Sequence, residues 1–321
     1  MDRRRNAGPG QRISPTTCSN TPAGAEPVEQ SKPLNARCLI GLLLVAMAPV
    51  IAGCSACGSI PLTQEALFAP RTSVTPETFD VPGAELEEVS VEAEDGTTIE
   101  GWFLHRDDAE ATVLFYGGQG FYLVLAEERL RETLEHLPVN VVAFDYRGYG
   151  QTDGSPSVEV LKSDAMRVYD WLIDQRRIAP QNLVIHGHSM GTFMAAHVAS
   201  KRQPSGVVLE SAATHVKGWR KAVLPWLLRA FVRFDVDPAL KGEDNVARVE
   251  EISEPLLLLV GSEDGITPPS LTDTLYKSSS SDPKWRRIVD GAGHNDLVRH
   301  DATFEAWKTL LDHLPATEQT P

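Results

Sequence analysis

The sequence predicts an α/β domain built on a mostly parallel sheet, and three observations carry that reading. Short β-type runs alternate with helical patterns through residues 83 to 315; several runs, such as VVAF and LLLLV, are apolar throughout; and the first two runs are joined by the turn sequence Glu94-Asp95-Gly96-Thr97. A strand with no polar alternation is covered on both faces, and alternation with helices makes the connections parallel crossovers. The tight turn makes the first pair an antiparallel hairpin instead. With 42% hydrophobic and 23% charged residues in 321, the chain has the composition of an ordinary folded protein.

The elements follow in order. Residues 1 to 36 are rich in Pro, Ser, Thr, Asn, Gly and Arg, show no apolar period, and read as unstructured. After Arg37 comes LIGLLLVAMAPVI, 13 residues ending in IAGC at Cys54. That run is shorter than the roughly 20 residues that span a bilayer. A cationic flank, a short apolar core and a small-residue end describe an export signal over residues 1 to 53. IAGC resembles the lipobox of bacterial lipoproteins, which implies that Cys54 becomes the mature N-terminus, carries a diacylglycerol and holds the protein at a membrane of the bacterial cell envelope. Several acyl chains on one residue anchor stably where one chain does not.

Residues 1 to 53 hold six of the 30 basic and three of the 44 acidic residues, so the remainder carries 24 against 41, formally −17. Such a surface argues against nucleic acid and against adhesion to anionic headgroups. Of the four cysteines, Cys18 and Cys38 leave with the signal and Cys54 is acylated, so Cys57 has no partner for an internal disulfide; zinc-ligand spacing is absent.

Residues 54 to 82, rich in Pro and Thr, read as a tether plus an edge segment. Strands are expected at 89–93, 98–104, 112–116, 139–144, 183–186, 207–210, 256–260 and 285–289. Helical spacing covers 127–136, 157–176, 190–201, 268–278 and 303–314, with Thr267 as the expected N-cap of the fourth and Pro268 in its first turn. One stretch breaks the alternation: residues 212 to 252 carry Trp219, Trp226, Phe231 and Phe234 among basic residues, and fit a helical insertion over the strand ends.

The chemistry centres on Gly187-His188-Ser189-Met190-Gly191, which follows the strand pattern VIHG and precedes the helical pattern TFMAAHVAS. A strand running straight into a helix must turn sharply, and small residues two positions either side of the apex permit the close approach. The apex serine is then exposed at a helix N-terminus, where developing negative charge is favoured. Such a nucleophile needs a base. Of nine histidines, His136, His313, His197 and His186 sit in or near regular elements, and His188 is expected to point away from the apex. His294, in GAGHND directly after the last strand, lies at the same end of the sheet as Ser189. For the acid, Asp264 follows the penultimate strand in a Gly-bounded loop, with Glu210 as the alternative; Asp290 and Glu263 are less well placed. An oxyanion site is expected from the N–H of Met190 together with that of Gly118, or of Gln119, in the loop Tyr116-Gly117-Gly118-Gln119-Gly120.

The chain order Ser189, Asp264, His294, with FDYRGYGQTDGSPS at residues 144 to 157, resembles the α/β-hydrolase superfamily over about residues 85 to 315. The likeness is to its esterase-like branch, with dipeptidyl-aminopeptidase-type and acylated-protein-thioesterase-type members. It implies an eight-stranded, mostly parallel sheet, a serine acyl-enzyme mechanism and no cofactor. The sequence departs from the usual pattern at Tyr116-Gly117, where relatives have His-Gly. The expected function is a membrane-anchored, monomeric serine hydrolase acting on a small-molecule or acylated substrate through an ester or related acyl bond. Two readings stand beside it: a non-catalytic hydrolase-fold lipoprotein that binds a partner or ligand, and an aminopeptidase or thioesterase of the same fold.

Overall fold

The computed structural model describes residues 59–68, 81, 83–225, 229 and 232–315. The export signal, Cys54, Cys57, Trp226 and Phe231 lie outside the described residues. Ten strands are present among the described residues: β1 Ser59–Leu62, β2 Glu85–Glu92, β3 Thr98–His105, β4 Ala111–Tyr116, β5 Val139–Phe144, β6 Leu183–His188, β7 Gly206–Glu210, β8 Arg233–Val236, β9 Leu256–Gly261 and β10 Lys284–Val289. Eight of them form one sheet in the order β10-β9-β7-β6-β4-β5-β3-β2. β2 and β3 pair antiparallel, as do β3 and β5; every other pairing in the sheet is parallel. The fold is therefore the α/β-hydrolase fold that the sequence led one to expect.

Its core sits where the apolar runs predicted. β4, β6, β7 and β9 are buried at every position, because helices cover both faces. The helix Val158–Asp174 is capped by Ser157, whose side chain accepts from the N–H of Val160 at 3.2 Å, and it buries Leu161, Val168 and Leu172. Parallel strands place their C-terminal ends along one edge of the sheet. The loops after β4, β6, β7, β9 and β10 thus share that edge, where ligands of open α/β sheets bind.

Two local expectations give way. Residues 59 to 68, read as tether, dock on the domain. β1 pairs in parallel with β8, from Ser59 beside Arg233 to Leu62 beside Val236, and the short helix Gln64–Phe68 follows. Gln64 donates to Asp237 at 3.2 Å and accepts from the N–H of Val158 at 2.8 Å; the Tyr149 hydroxyl donates to the carbonyl of Phe68, whose side chain is buried. A four-residue strand and a five-residue helix are too short to show a period, so their partners, distant in sequence, decide their structure. The second concerns Thr267. The helix Pro269–Ser278 starts one residue later than expected, with Pro268 at its N-cap; proline has no side-chain acceptor, and the Thr267 hydroxyl bonds Asp264 Oδ2 instead. The insertion between β7 and β9 contains the helices Val216–Val223, Pro238–Lys241 and Asn245–Glu251, and it also supplies β8.

Candidate active site

β6 ends at His188 and the helix Gly191–Ala199 starts three residues later, so the chain reverses through Ser189 and Met190. Ser189 takes φ 52°, in the left-handed region that costs a non-glycine residue about 1–3 kcal/mol. Three bonds hold it there. Its N–H donates to Glu210 O at 2.9 Å, and Ser189 O accepts from the N–H and the hydroxyl of Thr192 at 3.1 and 2.6 Å. The flanking glycines are required by contact: a β-carbon on Gly187 would lie 2.6 Å from Ala195 Cβ, and one on Gly191 would strike the carbonyls of Tyr116 and Gly117.

The three residues singled out by chain order meet. Ser189 Oγ lies 2.8 Å from His294 Nε2, and His294 Nδ1 lies 2.9 Å from Asp264 Oδ2. With its Nδ1 proton donated to Asp264, the imidazole presents Nε2 as acceptor for the serine hydroxyl. The Asp264 carboxylate is saturated: Oδ1 accepts from the N–H groups of Ile266 and Thr267 at 2.9 and 2.7 Å, and Oδ2 accepts from the Thr267 hydroxyl at 2.8 Å. Burial alone pushes this carboxyl up, but the hydrogen bond and charge of His294 and the Thr267 donors prevail and hold it below its ordinary value.

The other carboxylates have different partners. Glu210 is buried and holds Nη1 of Arg129 at 3.0 Å and His186 Nε2 at 3.0 Å. Burial raises its pKa, and the Arg129 charge with the His186 hydrogen bond overrides that, leaving Glu210 ionised. Asp290 is exposed and accepts from Ser262 at 3.4 Å; Glu263 is exposed. His188 does not turn wholly away. Its Nε2 donates to the carbonyl of His294 at 3.0 Å, beneath the imidazole that meets Ser189, and burial, then the Arg129 charge, pushes it down to about 3, which keeps it neutral.

Met190 starts the helix after the elbow, and Gly118 packs against Ser189, with a hypothetical β-carbon there 3.2 Å from Ser189 Cβ. Tyr146 fixes the Gly118 loop by donating from its hydroxyl to Gly117 O at 2.9 Å. None of the described residues accepts from the N–H of Met190, Gly118 or Gln119, so these donors are unpaired among the described residues beside Ser189.

Sequence reasoning passed over the supports of this arrangement. The Thr267 hydroxyl lies 2.8 Å from Asp264 Oδ2, 2.9 Å from Ser211 O and 3.1 Å from His294 Nδ1. Ser211, itself at φ 52°, lies with its Oγ 3.4 Å from His294 O. The signal for Thr267 was its position three residues after an aspartate, the spacing of a local side-chain-to-backbone turn. Nothing in the local sequence marks Ser211 or Arg129.

Ser189 lines two cavities, one of mixed polar and apolar lining and one largely apolar. One, of about 450 Å³, is lined by Gly118, Gln119, Glu128, Arg129, His188 and His294, among others. The second, of about 220 Å³, is largely apolar and includes Phe68, Met190, Met194, Trp219 and Leu240. Among the described residues, no group of three or more His, Cys, Asp or Glu is placed to hold a metal ion.

Residues 107–246 match the family described as serine aminopeptidase, S33. An uncharacterized protein of Mycobacterium tuberculosis is 31% identical over 212 residues, 65% of this chain and 72% of its own. An uncharacterized membrane protein of Saccharomyces cerevisiae is 26% identical over 242 residues, 73% of this chain and 82% of its own. Among solved structures, an esterase of Pyrococcus furiosus superposes with a TM-score of 0.60 at 19% identity, covering 76% of this chain and 96% of the esterase; at that identity the likeness concerns the fold.

Proposed function

Because this chain belongs to the α/β-hydrolase superfamily and is a hydrolase, we propose that it cleaves a carboxylic ester or related acyl bond through an acyl-enzyme on Ser189. The observation that carries this is the unbroken line Ser189 Oγ–His294 Nε2 at 2.8 Å and His294 Nδ1–Asp264 Oδ2 at 2.9 Å. His294 takes the hydroxyl proton as Oγ bonds to the carbonyl carbon, and Asp264 stabilises the resulting imidazolium. The carbonyl oxygen, now an oxyanion, takes hydrogen bonds from the N–H of Met190 and of Gly118 or Gln119. Collapse of the tetrahedral carbon breaks its bond to the leaving group, which departs with the proton from His294. Water then repeats the sequence, losing its proton to His294 as it attacks the acyl carbon, and returns Ser189 with its hydroxyl.

The membrane similarity of the yeast relative supports a membrane location, which Cys54 would provide as a lipid anchor. No helix of the described residues is long and apolar enough to cross a bilayer. The test of the reaction is hydrolysis of p-nitrophenyl butyrate by the wild-type protein and by Ser189→Ala. The variant should retain its fold and lose about 10³-fold or more in kcat. A rate within tenfold of wild type would remove Ser189 from the nucleophile's role.

A further inference from the structure

We propose that residues 59 to 68, together with the insertion, wall a pocket that receives the substrate's acyl chain and limits it to medium length; the proposal rests on the acyl-enzyme reading above. The apolar cavity of about 220 Å³ is lined by Ser189 and Met190 among others, so it borders the residue that attacks and the residue that carries a candidate oxyanion donor. Whatever is bonded to the carbonyl carbon must therefore extend into this cavity or into its neighbour. Leu62, Leu67 and Phe68 line it from the N-terminal segment, and Trp219 and Leu240 line it from the insertion. The neighbouring cavity mixes Phe121, Leu125 and Val298 with the charged and polar Glu128, Arg129 and Asn295, whereas polar groups are few in the first. An alkyl chain there would cover polar groups that water now solvates, whereas in the first cavity it displaces water from apolar surface. The acyl chain belongs in the first cavity and the leaving group in the second.

The wall is built in. β1 is zipped to β8 along its whole length, Gln64 joins Asp237 to the N–H of Val158, and the Trp219 indole N–H donates to Ile266 O at 2.9 Å. Glu243, a carboxylate on the cavity wall, is held by Lys162 at 2.9 Å and by Arg248 at 2.5 Å, so it places no demand for a cationic substrate. An apolar cavity of about 150 Å³ takes up benzene, so one modestly larger fits an acyl chain of about six to ten carbons.

The experiment measures kcat/KM over p-nitrophenyl acetate, butyrate, hexanoate, octanoate, dodecanoate and palmitate, with fluorophosphonate labelling of Ser189 followed alongside. The expected profile rises by up to about fourfold per added methylene as far as the hexanoate or octanoate, then falls at least tenfold by the palmitate. Leu67→Ala and Trp219→Ala, at partly exposed positions, should move the optimum to longer chains, and Leu62→Trp should move it to shorter ones. If Ser189 is labelled but the profile is flat, or the variants leave it in place, the pocket assignment is overturned while the hydrolase reading stands. If Ser189 is not labelled, both fall.

Discussion

Ser189 is held against its own backbone preference, and the hydrogen bonds from Thr192 and to Glu210 O are what keep it there. Because those bonds are made by main-chain atoms of Ser189, Ser189→Ala removes reactivity without removing the turn, and the melting temperature of the variant should stay within a few degrees of wild type. Asp264 and Glu210 are both buried carboxylates beside histidines, yet only Asp264 meets the imidazole that meets Ser189. Asp264→Asn should therefore lower kcat by about 10³–10⁴-fold, and Glu210→Gln by far less, when both are measured on one activated ester. The reverse ranking would redraw the acid. Thr267→Val leaves Asp264 Oδ2 with one donor fewer; we expect a loss of about tenfold in kcat with KM little changed, as for a positioning residue. Ser189, Asp264 and His294 were legible because each follows the C-terminal end of a strand by at most five residues, where chain order and topology suffice to place it. Ser211 and Arg129 were not, since their contacts span 81 to 83 residues of sequence, and Thr267 carried only the local signal of its spacing from Asp264 while its contact with His294 spans 27.

At the level of elements, the elbow depends on Gly191 lying against the β4 end. Gly191→Ala would force a methyl group onto the carbonyls of Tyr116 and Gly117, at a cost of about 1–3 kcal/mol or more, read as a lowered melting temperature. The end of β7 contributes through charge. Glu210 is ionised well below the ordinary carboxylate range in the folded protein, so the stability it supplies is present above the pKa of an unfolded glutamate and is lost as pH falls toward the folded value. The melting-temperature gap between wild type and Glu210→Gln should accordingly be widest at neutral pH and shrink on acidification; a gap that widens in acid would contradict the assignment. The central strands of the sheet were readable because apolar runs such as LLLLV admit little else, whereas β2 was expected only from Val89 because its first half, Glu85–Glu88, has no buried position to mark it. β1 and β8 were not, because four-residue strands with exposed and half-buried positions carry almost no pattern and exist through each other.

For the whole molecule, the docking of residues 59 to 68 alters what an anchor at Cys54 would do. A tether expected to run to residue 82 reaches β1 after four intervening residues, a reach of at most about 18 Å. Lipidation would thus hold the acidic domain near the headgroups, with the N-terminal wall of the apolar cavity on the membrane-proximal part of the chain. Cys54→Ser should release active enzyme from the membrane fraction on cell fractionation, and mass spectrometry of the native protein should find lipid on Cys54; an unmodified Cys54 or an intact Met1 would overturn the anchor. Covalent chemistry at Ser189 is read directly by intact-protein and peptide mass spectrometry after reaction with a fluorophosphonate. One adduct is expected, on Ser189, absent from Ser189→Ala and slowed by at least two orders of magnitude in His294→Ala. An adduct on another residue, or none under conditions that label a known serine esterase, would contradict it.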